Sequence, residues 1–399
     1  MKNILIITKI YPAEDLNYGD TKVVHYFVKE WQKMGYNVRV IHNFVIFPKI
    51  IMFFTRMFQQ FLRSRIGDVV PFVYDTNDCS YEYEGVPVRR LPILKIIPHG
   101  LISKSNVLKQ FSKIKDYLKQ ENFIPDIVVA HWWSPQLELL SLLKKEYSCK
   151  TCMIIHNIDS KKKTSAYTQY FEDVDFWGVR SKELGKRFVQ LFGSSHHPFL
   201  CYSGIPQQYI VGNAHRNFKK DKLSIIFVGN LLKRKHPLSI LESLAHLQIS
   251  NIERITYVGE GAELSTLKKF ADEHSLNEKI YFTGKISRNE VSALLQEHDV
   301  FVMISEKEAF GLVYLEAMGA GCLTIASINE GMDGIIEHGK NGFLCKAGNH
   351  IELANILDDI IKMDEVSRKK ISDKAVLCAQ QNTDYLAALN YLENLKERT

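Results

Sequence analysis

The chain has 399 residues, 46% of them hydrophobic and 24% charged, with a net charge of +6. This is the make-up of a globular protein and excludes a fibrous or low-complexity chain. At this length two or three domains are expected, each able to bury its own core.

The opening, Met1 to Thr8, reads as a buried strand; its apolar run is too short for a secretory signal, and Tyr11-Pro12 follows without a cleavage site. Seven cysteines at scattered positions suggest reduced thiols and a cytoplasmic protein. Cys149-x-x-Cys152 has no second pair, so packing is its expected role. Charge is unevenly shared: residues 1–217 hold 29 Lys and Arg against 19 Asp and Glu (+10), and residues 218–399 hold 22 against 26 (−4). The first half is the one suited to an anionic surface.

After the first strand a helix is expected over about Lys22 to Met34, with Asp20 or Thr21 as its N-cap, then a strand from Val38 to His42. Residues 44–65 mix Phe, Ile and Met with Lys49, Arg56 and Arg63. Pro48 and these charges break the run before it could span a bilayer. A basic amphipathic helix lying on a membrane surface fits, as does a core-facing helix. Residues 80–98 read as a short strand insertion. Strand and helix then alternate: helix 106–120, strand 126–130, helix 136–146, strand 151–155, strand 174–179, helix 182–191 and strand 198–202. Residues 204–222, holding Gly, Pro, Asn, His and Lys with low apolar content, read as a hinge. A second doubly wound domain starts at Leu223, with strands near Ile255, Ile280, Phe301 and Leu323, and a last helix spans about 385–395.

The most informative stretch runs from Asp299 to Ser327. It reads as a strand (Val300 to Ile304), a polar loop, a helix from Gly311 to Gly319, and a strand (Cys322 to Ala326), which is a βαβ unit. The loop Ser305 to Gly311 lies where open α/β sheets bind ligands. The N–H groups of Gly311, Leu312 and Val313 open a helix and attract phosphate. Glu308 precedes the helix; Glu316 lies roughly 7 Å along it at 1.5 Å per residue. An elongated ligand with a central diphosphate fits this layout, with Glu316 accepting from ribose hydroxyls.

Ser305-x-x-Glu308-x-Phe310-Gly311-Leu312-Val313-x-Leu315-Glu316-Ala317-Met318 closely resembles the E-x7-E signature of retaining glycosyltransferases of the GT-B fold, the family-four (glycosyl transferases group 1) type. The resemblance implies two Rossmann-like domains facing each other across a cleft: 1–203 for the acceptor, a hinge at 204–222, 223–380 for the nucleotide sugar, and 381–399 crossing back to the first domain. It implies donor contacts from Phe310, Gly311, Leu312, Val313 and Glu316, and from the glycine turn at Gly19. In Gly229-Asn230-Leu231-Leu232-Lys233-Arg234-Lys235, Lys235 matches the family lysine that clamps the diphosphate. Asn230 stands where relatives carry Arg, so Lys233 or Arg234 compensates, or the donor is posed differently. By the same resemblance Gly259 in the V-G-x-G turn lines the nucleotide pocket, and Gly284 and Ile286 hold the base. His156, at a strand end, is expected to face the donor sugar. His131 and Trp132, with Trp133, line an acceptor groove or belong to the core.

Gly259-Glu260-Gly261 lacks the third glycine of a dinucleotide fingerprint, which disfavours an NAD enzyme. Asp173-Val174-Asp175 matches a metal-binding D-x-D but lies far from the donor signature, and no metal or other cofactor is expected. The expectation is a retaining glycosyltransferase, cytoplasmic or peripheral on the membrane face, using a nucleoside-diphosphate sugar. Its acceptor would be a lipid-linked or polysaccharide hydroxyl in cell-surface polysaccharide synthesis, with Glu308, His156 and Lys235 as catalytic residues. The alternative is a GT-B-fold sugar-nucleotide epimerase. No nucleic-acid partner is expected.

Overall fold

The computed structural model describes residues 2–14, 22–48, 77–96, 102–158, 165–219 and 222–396. The chain forms two compact units: residues 1–180, 184–201 and 387–399 make the first, and residues 181–183 and 202–386 the second.

The first unit holds strands β1 (Asn3–Thr8), β2 (Asn37–Ile46), β3 (Cys79–Tyr83), β4 (Val86–Leu94), β5 (Ile127–His131), β6 (Lys150–Ile155), β7 (Phe176–Val179) and β8 (Phe199–Leu200). They form one sheet in the order β3-β4-β2-β1-β5-β6-β7-β8, parallel except where β3 folds back on β4. Its helices are α1 (Val23–Lys33), α2 (Lys104–Gln120), α3 (Gln136–Tyr147) and most of α4 (Lys182–Phe192). The central strands are continuous apolar runs, as a sheet covered on both faces requires: β1 and β5 are buried along nearly their whole length. Ser103 caps α2 by accepting from the Asn106 N–H. Cys149 and Cys152 are free, buried thiols.

The second unit holds β9 (Leu223–Val228), β10 (Ile252–Val258), β11 (Ile280–Gly284), β12 (Val300–Val302), β13 (Leu323–Ser327) and β14 (Phe343–Cys345). All pair in parallel, in the order β11-β10-β9-β12-β13-β14. This is the doubly wound order, with its reversal between β9 and β12. The helices are α5 (Leu238–Ser243), α6 (Leu264–Glu273), α7 (Arg288–Glu297), α8 (Leu312–Gly319), α9 (His350–Lys362) and α10 (Glu365–Gln380), and the chain then passes through α11 (Asp384–Lys396) into the first unit. Ser287 and Glu290 form a reciprocal capping box at the start of α7.

Four expectations are corrected. Strand β2 continues through Phe44, Val45 and Ile46, so the start of the 44–65 stretch is sheet rather than amphipathic helix, held by pairing with β4 over Phe44↔Pro92 to Ile46↔Leu94; residues 49–65 lie outside the described residues. The 80–98 segment is no insertion, because β4 is a full parallel neighbour of β2. Helix α1 starts at Val23 with Lys22 as its N-cap residue, whereas Asp20 and Thr21 lie outside the described residues.

The 204–222 stretch, as far as it is described, is built into the second unit. Tyr209 is buried in that unit's core, and the Arg216 guanidinium donates to the carbonyls of Ala320 at 2.9 Å and Leu295 at 2.7 Å. Polar composition marked a loop but not what its side chains would hold. The C-terminal helix α11 belongs to the first unit from Ala387 onward: Trp31 donates to the Ala388 carbonyl at 3.0 Å, and Tyr391 packs edge-on against Trp31 and Phe27. No described helix is long and apolar enough to cross a membrane.

Candidate active site

Strands β9 and β12 are neighbours at the point where the second sheet reverses its order, and the loops leaving their C-terminal ends carry Lys235 and Glu308. These loops are tied at the backbone, where the Glu306 N–H donates to the Arg234 carbonyl at 2.7 Å. Their side chains pair: Lys235 Nζ lies 3.1 Å from Glu308 Oε2, and both side chains are largely buried, at 13% and 15% exposure. Lys235 Nζ also sits 3.4 Å from the Met303 sulfur. Arg234 Nη1 lies 3.9 Å from the same carboxylate oxygen, so Arg234 is a second cation beside Glu308. Asn230 itself is exposed on the β9 loop.

Beyond Glu308 the chain passes buried Phe310 and enters α8 through Gly311 at φ +81°. A side chain there would meet the Tyr314 ring at 2.6 Å, so only glycine allows this entry. Tyr314 is anchored by donating to the Met303 carbonyl at 2.6 Å. Leu312 and Val313 lean on the core, which fixes the direction of the helix start. One turn in, Glu316 is nearly buried and pairs with Arg288 of α7. The Arg288 guanidinium stacks over the Tyr209 ring at 4.5 Å. Glu308 and Glu316 are therefore each held by an internal cation, one on either side of a helix N-terminus.

The loops after β9, β10 and β11 form a seam beside this network. Gly229 N–H donates to the Val258 carbonyl and Gly259 N–H to the Gly284 carbonyl, each at 2.9 Å. At Gly259, with φ +127°, a side chain would fall 2.2 Å from the Gly229 carbonyl oxygen. Close loop packing thus already requires glycine at 259. Ile286 is half-buried against the same core.

Two residues of this site escaped sequence reading. Glu330, just past β13, receives the Lys307 N–H at 2.9 Å and the Glu308 N–H at 2.8 Å on its two carboxylate oxygens. Burial raises its pKa against the pull of those two bonds, with Glu308 and Glu306 adding to the rise. Arg288 is the other. Both stand directly after strands or their loops, and a search for charged residues at every C-terminal strand edge of the second sheet would have found them.

In the first unit the corresponding edge lies between β1 and β5, where Thr8 pairs with His131. His131 Nδ1 and His156 Nε2 are 3.0 Å apart, so one ring donates to the other. His156 stacks face to face on Trp132, with centroids 4.0 Å apart. Burial, then the Arg180 charge, lowers the His131 pKa to about 3; burial, then His131 and Arg180, also lowers that of His156. Both rings are neutral near pH 7. Trp132 adopts φ +66°, a conformation bulky residues rarely take outside functional sites. Trp132 and Trp133 are both buried, so the open choice between groove and core falls toward the core for Trp133, whose ring stacks on Tyr167.

The remaining candidates sort as follows. Gly19 lies outside the described residues. Asp173 accepts from Ser141 and pairs with Lys145, while Asp175 accepts from Thr151 and Lys144, so the D-x-D carboxylates are engaged in tying β6 and α3 together. Among the described residues no group of three or more His, Cys, Asp or Glu side chains is placed to hold a metal ion.

The fold is that of the GT-B glycosyltransferases. A solved structure of Anabaena HepE in complex with UDP superposes with a TM-score of 0.71 over 99% of both chains at 16% identity. Sequence comparison gives the family. The pattern described as glycosyl transferases group 1 matches residues 213–376. An uncharacterised glycosyltransferase of Methanocaldococcus jannaschii is 30% identical over 351 residues, 82% of this chain and 88% of the relative. The chain belongs to the glycosyl transferases group 1 family. A 144-residue match of 30% identity to the N-acetyl-alpha-D-glucosaminyl L-malate synthase of Bacillus anthracis covers only 36% of this chain and 37% of that relative.

Proposed function

We propose that the protein is a retaining, metal-independent glycosyltransferase that moves a sugar from a nucleoside-diphosphate sugar to a hydroxyl of a lipid-linked or polysaccharide acceptor. The observation that carries this is the paired arrangement at the β9/β12 reversal: Lys235 on Glu308, Arg288 on Glu316, and an N-terminal helix edge between them. Lys235 is the member that changes partner in this reading. When a diphosphate docks at the start of α8, its negative charge competes with Glu308 for the ammonium, and the helix N–H groups share the load. Charge building on the leaving diphosphate is then met by groups already in position, the largest usual source of rate enhancement. Glu308, released, orients the sugar, and the acceptor oxygen bonds to the anomeric carbon on the face where the bond to the diphosphate breaks, the hydroxyl proton passing to the departing diphosphate oxygen.

Glu316 receives the ribose hydroxyls on the oxygen that Arg288 leaves open. Family membership supports the transferase class, and HepE, solved with UDP, supports a uridine donor as the first to try. We assign the acceptor to the first unit, where the basic excess lies and where neutral His156 can accept or donate a hydrogen bond without adding charge. Attachment to the cytoplasmic membrane face and a role in cell-surface polysaccharide synthesis belong to the same proposal.

The test is a thermal-shift panel of UDP-, GDP- and ADP-sugars, because a ligand that binds only the native state raises its melting temperature. The stabilising donor is then incubated with and without acceptor glycans and followed by mass spectrometry. A sugar transferred with its anomeric configuration kept supports the proposal. A donor isomerised without acceptor would instead identify an epimerase, and no shift with any sugar nucleotide would overturn both.

A further inference from the structure

Glu308 sits on a turn that the chain does not adopt readily. Lys307, immediately before it, has φ +54°, the left-handed region that non-glycine residues avoid. Its side chain is exposed, so packing of that side chain does not hold the conformation. The backbone is held from outside: the two successive N–H groups of Lys307 and Glu308 converge on the Glu330 carboxylate, the geometry in which consecutive amides bind an anion. The next residue continues the clamp. Gly331 N–H donates to the Glu308 carbonyl at 2.9 Å, and a side chain at 331 would lie 2.5 Å from the Phe310 backbone. Glu330-Gly331 thus grips the turn on its N–H side and its C=O side at once.

We infer that Glu330 is a positioning residue for the transfer reaction: it holds the left-handed turn at Lys307 so that the Glu308 carboxylate is aimed at Lys235 and at the donor sugar. This rests on the reading of Glu308 as the group facing the sugar. A carboxylate suits the task because both of its oxygens accept. An amide offers one acceptor and turns its NH2 toward the second N–H, and aspartate keeps the charge but is one methylene too short to span both amides. The residue is spent on the backbone of the loop, so its loss is expected in the chemical step rather than in nucleotide binding, which rests on Glu316 and the start of α8.

The experiment compares wild type, Glu330→Gln, Glu330→Asp and the double variant Glu330→Gln/Lys307→Gly in the full chain. Glu330→Gln should lower kcat about tenfold or more while changing UDP affinity less than about threefold, the signature of a group acting only through the geometry of the reacting centre. Glycine takes the left-handed conformation without a side-chain clash, so Lys307→Gly should restore a large part of the lost kcat in the Gln background. A residue needed merely for stability would not be rescued this way. Amide hydrogen exchange on the ligand-free proteins supplies a readout independent of turnover: residues 305–310 should exchange about tenfold faster in Glu330→Gln and in Glu330→Asp.

Wild-type kcat in Glu330→Gln, unchanged exchange at 305–310, or a double variant no better than the single one would each overturn the inference. If the Gln variant does not fold, the Asp variant is read by the same exchange and kcat criteria. Absence of UDP binding to the wild type would instead count against the proposed function, and the exchange measurement would still decide the role of Glu330.

Discussion

The two sheets repeat one topological solution and fill it with opposite chemistry. In each, the order reverses between a first strand and its later parallel neighbour: β1 beside β5 in the first unit, β9 beside β12 in the second. In the second unit the strand ends carry charges held in pairs, Lys235 with Glu308 and Arg288 with Glu316. In the first they carry neutral rings, His131 on His156 and His156 on Trp132. Topology selects where a ligand can sit, because helices cover the faces and leave the carboxyl ends of the strands open. Burial and pairing select what it can be. An internal ion pair can be exchanged for a pair with a charged ligand, whereas a neutral imidazole offers hydrogen bonds to a neutral hydroxyl.

The contrast can be broken most decisively at Glu308. Glu308→Ala should lower kcat about 100-fold or more, the scale seen when a group aimed at the transition state is removed. Nucleoside-diphosphate binding by calorimetry should be little weakened, since Lys235 loses its internal partner and is left free for phosphate. Next in size, Glu316→Ala should weaken UDP binding about 10- to 100-fold, as expected for lost hydrogen bonds to a charged acceptor. If the two variants behave alike, the division of labour between the carboxylates is wrong.

A smaller effect probes the internal pairing itself. In a double-mutant cycle on thermal unfolding, Arg288→Ala and Glu316→Ala should show a coupling of about 1 kcal/mol, because Glu316 is nearly buried and its charge would otherwise stand uncompensated. Additive losses would mean that the pair is incidental.

The smallest test bears on the neutral side. The His131 pKa falls from 6.5 to about 3 on folding, so between these values the unfolded chain binds a proton that the native one refuses, and stability is lost as pH falls below about 6.5. Between pH 7 and pH 6 the contribution of His131 is about 0.5–1 kcal/mol. Denaturant unfolding at the two pH values should show this loss in the wild type and a shallower slope in His131→Gln. An unchanged slope would indicate that His131 is protonated in the native state. His298 of the second unit, also lowered to about 4 by burial, adds to the wild-type slope equally in both proteins and drops out of the comparison.

Much of the second unit was legible in the sequence. Its central strands are largely apolar runs, Ile225 to Val228 and Val300 to Val302, and the Ser305–Met318 string carries both carboxylates with the glycine that lets the helix begin. Lys235 was legible because it closes a strand-turn-helix passage. The pairing of Lys235 with Glu308 was not, since 73 residues separate them and only the neighbouring of β9 and β12 brings their loops together. Glu330 and Arg288 were missed for the same reason: each acts on a residue 22 or 28 positions away, and their places just past β13 and β11 mark a strand edge but not the partner. The V-G-x-G turn was visible as glycines, but the cause visible in the structure is the 2.2 Å approach of a neighbouring carbonyl. Phe44 to Ile46 misled because a strand with apolar residues on both faces has no periodicity to distinguish it from a buried helix.

Local sequence, then, determined where strands, helices and their glycine-opened starts would form, because backbone sterics and apolar periodicity act over a few residues. It also set the chemical inventory: two carboxylates around one helix start, and a basic turn. Tertiary structure alone decided which cation faces which carboxylate, which histidines lose their charge, and which distant acid grips the turn beneath Glu308. Those outcomes depend on distances of about 3 Å and on exclusion of water, and both arise only when strands far apart in the chain are laid side by side.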